Sequence, residues 1–182
     1  MKPFVSSHQK EIEELADKAL EKASAVAKDL YKQRFIKMSL TKSINYVYLS
    51  GPVTQFGDND KWKDNFDKMY KAMLKIKLND VNDINYIPIN PMEYAEEIES
   101  KYEYGIDYNY IDRMHLWYAI LNKCQAICVN VTDNAYLKSK GTLCELSYAL
   151  GKDFVIYFAD LKDDHVVTIT NNYTDTIETV YV

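Results

Sequence analysis

A chain of 182 residues, 47% hydrophobic and 27% charged, is long enough to bury one domain-sized core and too apolar to remain disordered. Its net charge of −5 excludes the broad basic surface that a nucleic-acid polymer requires, because phosphate neutralisation needs clustered Lys and Arg. A single nucleotide needs only a few local donors and stays within reach.

In chain order, residues 6 to about 38 read as one long helix. Ser6-x-x-Gln9 forms a capping box, and Ile12, Ala16, Ala19, Ala23, Val26 and Leu30 recur at helical spacing as a narrow apolar seam. That seam suits either packing on the chain's own domain or a contact between subunits. Ser39 to Ser43 reads as a linker, dividing an N-terminal helical extension (1–42) from an α/β domain (43–182). Asn45 to Ser50 is a β-prone run that stops at Gly51-Pro52. Trp62, Phe66, Met69, Tyr70 and Met73 share one helix face. Asn85 to Ile89 reads as a strand towards an edge, since Pro88 cannot donate to a ladder. A tyrosine-rich stretch follows, with a helix predicted near 92–102 and another over about 107–122. Ala126 to Val131 is continuously apolar, as at the centre of a parallel sheet. A helix is predicted from Gly141 to a C-terminal cap at Gly151, and a further central strand over Phe154 to Phe158. The β-prone runs Val166 to Ile169 and Thr176 to Val182 have no pairing that the sequence specifies.

This alternation predicts a parallel sheet covered by helices on both faces. Ligands of such sheets bind beyond the carboxyl ends of the strands, which selects the loops 50–60, 89–110 and 132–142. Ser50-Gly51-Pro52 offers close backbone approach and exposed amides, although such a turn is also common without any ligand. Ser139 to Glu145 sits at a loop-to-helix junction after the central strand. There Gly141 and Thr142 open the helix, and Glu145 lies among Leu143, Leu146 and Ala149. A carboxylate at such positions needs a task or a partner. Cys124, Cys128 and Cys144 are odd in number and lack zinc spacing, so they read as core thiols of a reducing cytoplasm. No metal or cofactor is expected. The N-terminal segment has no signal-like apolar run, and no stretch nears the ~20 apolar residues that cross a bilayer, so a soluble cytoplasmic protein is expected.

Val47-Tyr-Leu-Ser-Gly-Pro52, Asn90-Pro91, the helix end Leu121-Asn-Lys-Cys124, and Ser139-x-Gly141-x-x-x-Glu145-x-x-x-Ala149-x-Gly151 follow one another in a telling order. In this the chain resembles the nucleoside 2-deoxyribosyltransferase-like superfamily, which includes deoxynucleoside 5′-monophosphate N-glycosidases. The resemblance covers roughly residues 45–158. It implies a three-layer, Rossmann-like or flavodoxin-like fold, with the N-terminal long helix added. It implies that Glu145 attacks the anomeric carbon of a deoxyribose and expels the base, leaving a covalent sugar intermediate for water or a second base. Tyr48 matches an aromatic residue that orients the carboxylate. Ser139, between Lys138 and Lys140, matches a serine that binds a 5′-phosphate in the monophosphate-cleaving branch. Ser50, Gly51, Pro52, Asn90, Gly141 and Thr142 fall in the substrate-binding segments.

The sequence also departs from the family. An aspartate that assists the leaving base falls at Trp117, and the strand-leading aspartate at Gln125. Leaving-group protonation contributes about 10²–10⁴-fold. Asp112, His115 and Asp133 are the replacements to weigh, although Asp112 lies about 140° round the helix from Trp117. Asp133, in the loop after the central strand, is taken as the catalytic substitute. Trp117 either stacks on a base or fills the core. The expected function is therefore an N-glycosidase or deoxyribosyltransferase acting on a nucleoside or nucleotide. The alternative is a catalytically silent nucleotide-binding protein. Relatives share sites between subunits, so a homo-oligomer is expected.

Overall fold

A computed structural model of the chain describes residues 8–34, 44–53, 61–76, 85–94, 110–161, 165–172 and 176–182. Its elements are α1 (Gln9–Arg34), β1 (Ile44–Ser50), α2 (Lys61–Lys75), β2 (Asn85–Ile89), α3 (Tyr110–Leu121), β3 (Ala126–Asn130), a 3-10 segment (Thr132–Lys138), α4 (Lys140–Gly151), β4 (Val155–Asp160), β5 (Val166–Asn171) and β6 (Thr176–Tyr181). Ser6, the Ser39–Ser43 linker and most of the helix predicted over 92–102 lie outside the described residues.

The six strands form one sheet in the order β2-β1-β3-β4-β5-β6. The first four are parallel, while β4–β5 and β5–β6 are antiparallel. The expected parallel sheet is thus corrected to a mixed one: the parallel pairing holds from β2 to β4, and the two runs left unplaced add an antiparallel hairpin. Only residues 161–165 separate β4 from β5, far fewer than the dozen or so that a parallel crossover requires, so the chain turns back on itself. The protein is accordingly of the α/β class. β2 occupies an edge, where Pro88 is tolerated.

Alternate side chains of the strands feed two cores. Tyr48, Ile87, Ile89, Ile127, Val129 and Ile156 pack with residues of α1, α3 and α4. Val47, Leu49, Ala126, Cys128, Tyr157 and Ala159 pack with α2, together with Val167, Ile169 and Val180 of the hairpin. Every residue of β3 is buried, as the apolar run Ala126 to Val129 requires of a strand covered on both sides, and the polar Asn130 at its end accepts from the Thr132 amide.

The first half of the α1 seam, Ile12, Ala16, Ala19 and Ala23, is buried within the chain's own core, where α1 packs along α3 and β2. Alanines permit that close approach. An ion pair between Lys123 and Asp17 (2.7 Å) and a Ser24–Tyr46 hydroxyl contact (2.5 Å) fasten its length. The end of α4 also differs from expectation. Gly151 is the last helical residue with open space around it, and the left-handed residue that follows is Asp153 (φ 55°). Aspartate tolerates that region well enough to replace a glycine cap. No helix of the described residues is long and apolar enough to cross a membrane.

Candidate active site

The connections leaving β1 and β3 run to opposite sides, so the carboxyl ends of these two strands mark the point where strand order reverses. A cleft of about 360 Å³ opens there. β1 supplies its floor. The period-2 alternation of a strand aims Tyr48 and Ser50 to the same face. α4 supplies the opposing side. Its buried positions are Thr142, Glu145 and Ala149, spaced so that one face of the helix meets the sheet.

Glu145 is 7% exposed, and each of its oxygens is held by one hydroxyl of β1. Tyr48 donates to Oε1 at 2.7 Å, and Ser50 donates to Oε2 at 2.5 Å. Burial pushes the Glu145 carboxyl up to about 7, against the opposing pull of the two hydrogen bonds, first Ser50 and then Tyr48. Burial, and next the neighbouring carboxylate, push the Tyr48 phenol well above its ordinary value. Glu145 is therefore an oriented carboxylate that changes charge near neutral pH. Its oxygens cannot rotate freely while both hydroxyls hold them.

Ser139 is the N-cap of α4, and its hydroxyl accepts from the Thr142 amide at 3.4 Å and from Thr142 Oγ1 at 3.0 Å. With both of those bonds accepted, its own proton remains available to donate. Lys138, Lys140, Gly141 and Thr142 line the cleft beside it. A Cβ built on Gly141 would meet nothing within 4 Å, so open space lies over the start of the helix. Gly51 serves packing instead. A Cβ there would lie 3.2 Å from Asn130 Cβ, so glycine lets the end of β1 close against β3.

Trp117 packs against the core and also lines the cleft. Its indole Nε1 is buried without a hydrogen-bond partner. Gln125 is engaged in structure, accepting from the Tyr46 amide at 2.8 Å and donating to the Lys123 carbonyl at 3.1 Å. Three expected site residues stand apart from this group. Asp133 is exposed in a left-handed conformation (φ 53°) and is not among the residues lining the cleft. Asn90 turns its Oδ1 to the Met92 amide (3.1 Å) and lines a neighbouring cavity of about 400 Å³. Pro52 is buried beside the cleft without lining it. His115 is half-buried and likewise not a lining residue.

Ser50 was read from the sequence as substrate-binding, and its hydrogen bond to Glu145 was not; the available signal was its placement two residues after Tyr48. Phe66, Pro91 and Met92 also line the cleft and were not named from the sequence as site residues. Among the described residues no group of three or more His, Cys, Asp or Glu side chains is arranged to hold a metal. No protein-family model, no curated protein and no solved structure matches this chain.

Proposed function

We propose that this chain is an N-glycosidase or 2-deoxyribosyltransferase of the nucleoside 2-deoxyribosyltransferase-like kind, with 5′-monophosphates as its preferred substrates. The observation that carries this reading is the buried Glu145, gripped at both oxygens by Tyr48 and Ser50 on the wall of an open cleft. A structural glutamate on a helix face would find a cation or water. This one is held by two neutral donors that orient it and leave it near neutrality.

In the proposed reaction, Glu145 attacks the anomeric carbon as the bond to the base breaks. Tyr48 and Ser50 keep the carboxylate aimed, and their donors relax as its charge passes into the new ester. Water or a second base then releases the sugar and restores the carboxylate. Ser139, Lys138, Lys140 and the open space over Gly141 would receive the 5′-phosphate. The order of β2-β1-β3-β4, all parallel, supports a flavodoxin-like reading of that part of the sheet.

A second reading, a silent nucleotide-binding protein, is favoured by Trp117 and Gln125 standing where the family has carboxylates. One experiment separates the two. The protein is incubated with a panel of nucleosides and their 5′-monophosphates, and released base is followed by liquid chromatography. The enzyme reading expects base release that Glu145→Gln abolishes. Binding without release would favour the silent protein. A homo-oligomer remains part of the proposal, resting on site sharing among relatives, since the first half of the α1 seam is covered by the chain itself. The three free cysteines suit a cytoplasmic setting, and the acidic charge suits a small ligand over a nucleic-acid polymer or a membrane surface.

A further inference from the structure

The composition of the cleft restricts what can leave from it. Among the described residues that line it, the ionisable side chains are Tyr48, Lys138, Lys140 and Glu145. The phenol of Tyr48 already donates to Glu145, and burial holds its proton more firmly than water would. Lys138 and Lys140 are exposed at the start of α4, and neither is among the groups that perturb the Glu145 carboxyl. Half-buried Trp117 and buried Phe66 also line it. An indole donates a hydrogen bond but does not act as an acid. Among the described lining residues the cleft thus presents a nucleophile and aromatic side chains, with no second carboxyl or imidazole beside them.

A neutral base leaving from such a site forgoes general-acid assistance, a factor of about 10²–10⁴. A ring whose glycosidic nitrogen is already positive forgoes nothing, because it departs neutral. We propose that the preferred substrates of this cleft are N-glycosides of a cationic aromatic ring, a pyridinium or a ring-alkylated purine, with Trp117 as the wall that receives the cation. This rests on the reading of Glu145 as the nucleophile.

Two features of the site favour such a ring. The face of an indole is the best of the aromatic surfaces for a cation. Glu145 is also held by two neutral hydroxyls, and a positive ring beside it would supply a counter-charge. The substrate would then draw its own nucleophile into the ionised form, which a neutral nucleoside does not do. The lysines at the α4 end suit a phosphate on the same ligand, so the cleft matches a molecule with a positive ring and an anionic tail.

The step balances without an acid. A Glu145 oxygen lone pair forms the bond to C1′, the C1′–N bond breaks, and its electron pair cancels the ring's positive charge. Water then attacks C1′, the ester's bonding pair returns to Glu145, and the proton of the water passes to solvent. Each turnover by hydrolysis releases one proton.

The test uses the full chain and matched pairs that differ in ring charge: 7-methylguanosine against guanosine, their 2′-deoxy forms and their 5′-monophosphates, with nicotinamide riboside as the pyridinium probe. Base release is followed for the protein and for Glu145→Gln, which subtracts the intrinsic lability of cationic glycosides. The proposal expects kcat/KM for the cationic member to exceed its neutral partner by 100-fold or more, with the excess lost in Glu145→Gln. Trp117→Leu should raise KM for the cationic probe about tenfold, and Trp117→Phe should restore most of it. Glu145-dependent cleavage of the neutral member within tenfold of the cationic one overturns this inference and leaves the glycosidase reading intact. Absence of cleavage for every probe overturns both.

Discussion

Tyr48 and Glu145 stand 97 residues apart in the chain and meet at 2.7 Å, the fully buried phenol donating to one carboxylate oxygen. The contact joins the end of β1 to the buried face of α4. It forms because β1 and β3 run parallel in register, Tyr48 beside Ile127 and Ser50 beside Val129, and α4 follows β3 back across the same sheet face. The fold therefore brings a strand hydroxyl and a helix carboxylate together at the switch point, where parallel sheets bind their ligands.

Removing that donor has a defined consequence. Hydrogen bonds to a charged group are worth about 1.5–3 kcal/mol, and these two pull the Glu145 carboxyl down against its burial. Tyr48→Phe and Ser50→Ala should each raise the pH at which activity appears and lower kcat at neutral pH on the order of tenfold. A pH–rate profile for each variant checks this. An unchanged profile would mean that the hydroxyls do not govern the carboxylate.

Stability and activity should run in opposite directions with pH. The Glu145 carboxyl titrates at about 7 in the folded chain against 4.5 as its ordinary value. Between these values the folded state keeps a proton that the unfolded state releases. This group's contribution to stability is thus complete below pH 4.5 and is lost as pH rises through 7, by roughly 3 kcal/mol in all. A nucleophilic carboxylate needs the ionised form, so the rate should rise over the same interval. Glu145→Gln removes the titration. Its Tm should therefore gain on that of the parent between pH 5 and 8, on the order of 5 °C or more. Scanning fluorimetry across that range reads the difference.

The elements that carry the site were legible because they are locally determined. The apolar run Ala126 to Val129 specifies a buried central strand, and the loop-to-helix junction read at Gly141 and Thr142 falls one residue from the start of α4 at Lys140. The partners of Glu145 were half legible: Tyr48 was read from the family resemblance as orienting the carboxylate, whereas Ser50 was read from the same motif only as substrate-binding. The hairpin of β5 and β6 could not be placed, because antiparallel pairing is decided by short connections and register rather than by composition. Asp133, taken from the sequence as the substitute for the family's aspartate, is not among the described residues that line the cleft. Its loop winds into a kinked 3-10 segment with two left-handed residues, Asp133 and Asn134, and that geometry carries its side chain to solvent.

Ser139 has two separable tasks. As the N-cap it stabilises α4, so Ser139→Ala should cost about 0.5–2 kcal/mol. Aspartate caps equally well but brings a negative charge beside the proposed phosphate position. Ser139→Asp should therefore keep the parent Tm while weakening binding of a 5′-monophosphate and sparing the nucleoside. Calorimetry on both ligands checks the split, and equal binding of nucleoside and monophosphate by the parent would remove the phosphate from the proposal.

Gly51 offers a test of how closely β1 must approach β3. In Gly51→Ala the new methyl would press on Asn130 Cβ at 3.2 Å, at the end of β3, with the Phe66 ring of α2 at 3.6 Å on its other contact. Asn130 also holds the Thr132 amide at 3.0 Å, so its displacement loosens the following segment. A destabilisation of about 1 kcal/mol is expected, a fall in Tm of roughly 2–4 °C. Activity should fall with it, because Ser50 adjoins the substituted position.

The central claim is that Glu145 becomes covalently joined to a sugar. The most direct measurement is rapid acid quenching of the protein during turnover of a cleaved substrate, followed by intact-mass and peptide mass spectrometry. The account predicts a mass increase equal to one glycosyl group, located on Glu145 and absent from Glu145→Gln. Base release that proceeds at full rate in Glu145→Gln, with no adduct on any peptide, would contradict it.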